Sequence, residues 1–221
     1  MGHIVVTGAA GILGSAVAKL LADKGHTVTG LDLAADAPGF PGTFIGGTDL
    51  TSAAGADAAA ARITASGAVD GLVNVAGGFR WETIADGTPE SWEFLHKINV
   101  MTALHTSRAL LSALIESKGA IVNVGAAATL KAGLGMGAYT ASKSGVARLT
   151  ESLAEELKDK GVRVNAVLPS IIDTPANRAD MGEGDAPKWV KPGELAEVIA
   201  FLLSPGASAV TGATIPVTGR V

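Results

Sequence analysis

Apolar positions along the chain follow two alternating rhythms. Short continuous apolar runs read as strands at His3–Thr7, His26–Leu31, Gly71–Val75, Ala120–Val124 and Val162–Leu168. Thr43–Gly46 is a weaker strand pattern and Thr214–Val217 a final short one. Runs such as Ile4-Val5-Val6 and Ile121-Val122-Asn123-Val124 lack in-out alternation, so they predict burial on both faces. Between them lie helical patterns. Gly14–Lys24 places Ala16, Val17, Leu20 and Leu21 on one face, with Gly25 as its stop. Ser52–Ser66 is Ala-rich. Pro89–Ser117 opens on Thr88 and Pro89, Tyr139–Lys160 stops at Gly161, and Pro192–Leu203 comes last. Alternating strands and helices predict an α/β fold: a doubly wound parallel sheet with helices on both faces. No linker divides residues 1–221, so one domain is expected. Residues 170–191 carry little periodicity after a strand end and are expected to form a lid.

Composition narrows the picture. Hydrophobic residues make up 48% of the 221 positions and aromatics only 4%, which suits close packing by small side chains. A net charge of −4 provides no general attraction for nucleic acid or anionic membrane, and no partner of either kind is expected. No apolar run reaches the roughly 18–20 residues of a membrane span. The N-terminus enters a strand pattern directly, without a signal sequence, and the chain has no Cys. Both fit a cytoplasmic protein. His3, His26, His96 and His105 show no ligand spacing, and no metal is expected.

The first strand meets the first helix through Thr7-Gly8-Ala9-Ala10-Gly11-Ile12-Leu13-Gly14. Glycines there permit a tight turn and close backbone approach to a pyrophosphate, which would sit on the helix N-terminus. Gly8, Gly11, Ile12, Leu13 and Gly14 are therefore candidate cofactor residues. Asp32 ends the second strand. A carboxylate there can accept bonds from ribose hydroxyls and repels a 2′-phosphate, and no Arg or Lys lies in 31–37. NAD(H) is expected over NADP(H). Asp49-Leu50 follows the third strand and Asn74-Val75-Ala76-Gly77-Gly78 the fourth, both at the carboxyl-end crevice. Asp49 is placed at the adenine edge; Leu50, Asn74, Ala76 and Gly77 join the cofactor set.

Tyr139 is the only Tyr, and Lys143 stands four residues on, which puts both on one helix face. An ammonium about 4 Å from a phenol, at an effective dielectric near 20, is worth about 4 kcal/mol, enough to lower the phenol pKa by about three. The pair is the expected proton-transfer centre.

These residues together resemble the short-chain dehydrogenase/reductase family over nearly the whole chain. The family's Asn-Asn-Ala-Gly motif matches Asn74–Gly77, with Val75 for the second Asn; its Tyr-x-x-x-Lys motif matches Tyr139 and Lys143; its helix Asn matches Asn99. Val164–Pro169 and Thr174 match the strand and cofactor-contacting Thr near the end, and Ile172 lies between them. The resemblance implies a Rossmann-type domain and hydride transfer with a nicotinamide cofactor. It implies that Tyr139 exchanges the substrate proton, that Lys143 tunes the Tyr and holds ribose, and that Asn99 supports a water relay. Pro169, Ile172 and Thr174 would contact the cofactor. It also implies a homodimer or homotetramer through the helices at 89–117 and 139–160, whose apolar positions include Leu104, Leu111, Leu149, Leu153 and Leu157.

The chain departs from the family at Ala126, where a Ser normally stands thirteen residues before the Tyr. Losing such a donor typically costs about 3–4 kcal/mol. Thr129 is the nearest downstream hydroxyl. Dihydropteridine reductase, a branch that lacks this Ser, resembles the chain at Gly77-Gly78-Phe79, Gly125–Ala128 and Asp173–Arg178. Phe79, Trp81 and Trp189 are candidates to stack on a flat ring. The expected substrate is thus a small carbonyl or conjugated imine, with a pterin-like ring among the candidates. A 3-oxoacyl or ketone reductase is one alternative, and a nucleotide-binding sensor with little catalysis another.

Overall fold

A computed structural model describes residues 1–221. Seven parallel strands form one sheet: β1 (His3–Thr7), β2 (Thr27–Leu31), β3 (Thr43–Ile45), β4 (Gly71–Asn74), β5 (Ala120–Val124), β6 (Arg163–Pro169) and β7 (Thr214–Val217). Their spatial order is β3-β2-β1-β4-β5-β6-β7, so the order reverses between β1 and β4. That is the switch point where a doubly wound sheet opens a crevice at its carboxyl ends.

The helices are α1 (Ile12–Asp23), α2 (Ala53–Thr64), α3 (Pro89–His96), α4 (Thr102–Ala109), α5 (Leu111–Ser117), α6 (Gly137–Leu157), α7 (Pro175–Met181) and α8 (Pro192–Leu203). Two cores result. Val6, Val73, Val122 and Val167 bury against Val17 and Leu21 of α1 and Leu195 and Ile199 of α8. Val5, Leu72, Ile121 and Val164 point the other way, onto Ile63 of α2, Leu114 of α5 and Leu157 of α6. Neighbouring strand residues serve opposite cores, which is why the strand sequences are apolar without alternation.

Two expectations change. The pattern at 89–117 is not one helix: a π-helical turn occupies Lys97–Met101, and the backbone breaks again at Leu110 (φ −96°, ψ 1°). No helix joins β2 to β3, so the alternation is not strict. The segment 170–191 contains α7, capped by Thr174 with Pro175 in its first turn, and Ile172 bridges Val190. No helix is long and apolar enough to cross a membrane.

Candidate active site

The nucleotide half is built where β1 and β4 part. Gly8 takes φ +63°, and a Cβ there would stand 2.9 Å from the Ala76 Cα. The Thr7 hydroxyl oxygen accepts the N–H groups of Val75 and Ala76, both at 3.0 Å, tying the loop after β4 to the glycine turn. A Cβ at Gly14 would lie 2.1 Å from the Gly8 carbonyl oxygen, so helix and turn touch backbone to backbone. Gly11 caps α1 with no side-chain bond, leaving the first-turn N–H groups for an anion.

The Asp32 carboxylate closes the same turn. Oδ2 accepts the Ala10 N–H at 2.9 Å and Oδ1 the Ala34 N–H at 3.0 Å. Next to it, Asp49 accepts the Thr51 N–H and hydroxyl at 2.9 and 2.6 Å, and these bonds hold its carboxyl below the usual range. A cleft of about 610 Å³ joins Gly8, Gly11, Leu13, Gly14, Asp32, Asp49, Leu50, Ala76 and Gly77. It also takes in Leu33, Thr48, Val75, Ile98 and Thr102, for which no sequence signal was read. Free helix N–H groups, a carboxylate at the far wall and glycines whose Cβ positions are already filled together fit a dinucleotide.

Gly77 links this cleft to the reaction centre. A Cβ there would meet Asn99 Oδ1 at 2.4 Å and Lys143 Nζ at 3.3 Å. Lys143, 5% exposed, donates to the Val124 carbonyl at the end of β5, at 2.8 Å. Asn99, on the π turn, accepts the Gly78 N–H at 2.9 Å and donates to the Gly78 carbonyl and to Ser142 Oγ, each at 3.0 Å. Ser142 in turn donates to the Tyr139 carbonyl at 2.7 Å. The π turn thus aims an amide at the Gly78 backbone and at α6 at once. Asn99 serves as a clamp on the loop, with Ser142 as a partner that sequence reasoning missed.

Tyr139 sits in the first turn of α6, with the Phe79 ring edge-on at 4.9 Å between centroids. Burial pushes its phenol up to about 12 and the Lys143 ammonium down to about 8. Withdrawal from water is the cause of both shifts.

Other expected residues stand apart from the cleft. The Asn74 side chain is buried among Ser107, at 3.1 Å, and Asn123, at 2.8 Å, and serves the core. Ile12 is half exposed and does not line the cleft. Pro169, Ile172 and Thr174 follow the β6 end outside its lining, with Thr174 accepting the Asn177 N–H. Trp189 is 3% exposed and belongs to the core, so it is no stacking surface. The Thr129 hydroxyl donates to the Ala126 carbonyl at 2.8 Å and is no ready substitute for the missing Ser.

Comparison with known proteins supplies the family. The family described as enoyl-(acyl carrier protein) reductase, of the short-chain alcohol dehydrogenase type, matches residues 8–219. The chain belongs to the short-chain dehydrogenase/reductase family. Acetoacetyl-CoA reductase of Synechocystis is 37% identical, over 98% of this chain and 94% of that one. 3-Oxoacyl-(acyl-carrier-protein) reductase of Vibrio cholerae is 31% identical, over 97% and 95%. Among solved structures, the aldohexose dehydrogenase of Thermoplasma acidophilum superposes with a TM-score of 0.91 at 28% identity, over 99% of this chain and 93% of that one. The chain is thus an oxidoreductase of the short-chain type, and its family uses nicotinamide cofactors. Ala126, just past the β5 end, is 4% exposed.

Proposed function

We propose that this chain is an NAD(H)-dependent reductase or dehydrogenase of a small carbonyl compound, working as a homo-oligomer. The observation that carries the reading is the continuity of one site. The cleft with Asp32 at one end leads through Gly77 to Lys143, next to the helix turn that bears Tyr139. Asp32 supports NAD(H): it presents negative charge where a 2′-phosphate would lie, and no basic side chain lines the cleft. The relatives named for 3-oxoacyl and acetoacetyl reduction support a carbonyl over a pterin. Ala126 keeps the conjugated imine as a second reading, because such a system needs less help from a hydroxyl donor.

A bound nicotinamide supplies or takes the hydride. Tyr139 gives its phenolic proton to the substrate oxygen during reduction and takes it back during oxidation. Lys143 stabilises the phenolate left behind, passes it a proton and is reprotonated from solvent. Gly8, Gly11 and the first turn of α1 would hold the pyrophosphate; Lys143 and Asp32 would hold the two riboses. Pro169, Ile172 and Thr174 are assigned to the nicotinamide end, and segment 170–191 to a lid over it. Among the expected oligomer positions Leu157 is 2% exposed inside the monomer, so Leu104, Leu111, Leu149 and Leu153 are the ones left for a partner copy.

The test is Tyr139→Phe. NADH binding by fluorescence should persist, while ketone reduction falls by about 10²–10⁴. Unchanged turnover would remove Tyr139 from the mechanism, and tighter binding of NADPH than NADH would remove the role given to Asp32.

A further inference from the structure

The loops over Tyr139 are joined to each other. Gly135 adopts φ +70°, and a Cβ there would lie 2.2 Å from Trp81 Cε2, so the indole lies directly on the glycine backbone. The Glu82 N–H donates to the Gly135 carbonyl at 2.9 Å. A Cβ at Gly137 would touch Ile84 Cδ1 at 3.4 Å. The loop after β4 is thus strapped across the loop before α6, two residues short of Tyr139. A strap held by backbone contact is a preformed wall, with little ordering left to do when a ligand arrives.

That wall is apolar and unpartnered. Phe79 and Trp81 are each 56% exposed, Ile84 77% and Leu134 79%. Its charges do not favour a phosphate-bearing carrier. Segments 78–88, 126–136 and 170–191 hold five Lys or Arg residues against six Asp or Glu. Three of the five cations are already engaged. Arg80 stacks 4.1 Å from the Phe94 centroid and donates to Ser91, Arg178 forks onto Asp173 at 2.6 and 2.9 Å, and Lys188 meets Asp185 at 2.7 Å. Lys131 and Lys191 are left. Recognition of a phosphopantetheine or coenzyme A arm needs several cations, and an acidic carrier protein needs more.

We infer that the substrate is a free, uncharged, flat ring compound whose reacting C=O or C=N is conjugated to or within the ring, and that Trp81 is the wall it packs on. Carrier-linked thioesters are disfavoured. This rests on the reading of the Tyr139 site, and the inference sets this chain apart from the acyl-thioester reductases it resembles.

The experiment measures binding apart from turnover. Wild-type protein loaded with NAD⁺ is titrated with 1-tetralone and, separately, with acetoacetyl-CoA, followed by saturation-transfer NMR. The ring ketone should bind saturably and at least about tenfold more tightly than the thioester. Trp81→Ala should weaken ring binding about tenfold, and Trp81→Phe should restore most of it. NADH affinity, unchanged in both variants, reports that the fold is intact. Tighter binding of acetoacetyl-CoA, or ring binding indifferent to Trp81→Ala, would overturn the inference. Ring binding that depends on Trp81 but gives no oxidation of NADH would uphold it while removing the proposed reaction.

Discussion

At the residue scale, the proposed chemistry and its pH range rest on two ionisable groups, buried Lys143 and part-buried Tyr139. Lys143 is 5% exposed and its ammonium is pushed down to about 8 by burial. Below that pH both the folded and unfolded chains carry the charge, so the full burial cost is present. Between about 8 and the ordinary Lys range the unfolded chain binds more protons, so stability rises with pH. Lys143→Met, which keeps the volume and removes the charge, should therefore be more stable than wild type by roughly 2–3 kcal/mol near neutral pH. Urea midpoints should show the gap closing toward about pH 10, while activity is lost. Tyr139, pushed up to about 12, keeps its proton throughout the neutral range. The reductive rate should thus be flat from acid pH and fall as Lys143 discharges near 8, whereas the oxidative rate should rise with pH. Ala126 offers a gain of function. Ala126→Ser should raise kcat for a simple ketone by tenfold or more, since one placed donor is worth about 10²–10³. No gain would show that the β5 end is not aimed at the substrate oxygen.

At the element scale, the site depends on departures from regular helix. The π turn at Lys97–Met101 supplies Asn99, whose amide is bonded at both ends. Gly145 makes room for it: a Cβ there would stand 2.9 Å from Val100 Cγ2. The end of α8 is secured by one side chain. Arg163 donates to the carbonyls of Leu202, Ala207, Leu203 and Ser204 at 2.6, 3.1, 3.2 and 3.2 Å. A lysine cannot reproduce that planar fork. Arg163→Lys should destabilise the protein by about 1–3 kcal/mol in urea titrations while leaving the pH profile of catalysis unshifted.

The helix breaks between 89 and 117 were not legible in the sequence. A π turn changes the hydrogen-bond register without a Pro or Gly to mark it, so periodicity alone reads straight through. The N-cap of α7 went unread, although Thr174 and Pro175 carry the ordinary N-terminal signature. A lack of periodicity hid a helix of only two turns. The glycine turn, Asp32 and the Tyr139–Lys143 spacing were legible because each is a local chemical requirement at a fixed offset. The burial of Asn74 and Trp189 was not, because polar and aromatic types alone do not say which side of a strand or loop becomes interior.

At the scale of the whole molecule, charge decides who approaches. The net −4 and the acidic excess around the mouth should slow a polyanionic substrate. Raising ionic strength from about 0.01 M to about 0.2 M shortens the screening length from roughly 30 Å to under 10 Å. Any kcat/KM for acetoacetyl-CoA should therefore rise with salt, while that for an uncharged ring ketone should stay level. Stopped-flow measurement of both substrates at the two salt levels checks this.

By itself the sequence determined the alternating elements, the parallel sheet and the local motifs of turn, strand-end acid and Tyr-Lys pair. These follow from periodicity and short-range geometry, which neighbouring residues fully specify. Only the tertiary structure decided that the Tyr139 phenol is drawn away from water and raised. It likewise decided that Asn74 serves the core, and that Gly135 lets Trp81 strap the loops over the site. Each of these depends on which distant segments exclude water from a group, and that is set by packing across the sheet, not by spacing along the chain.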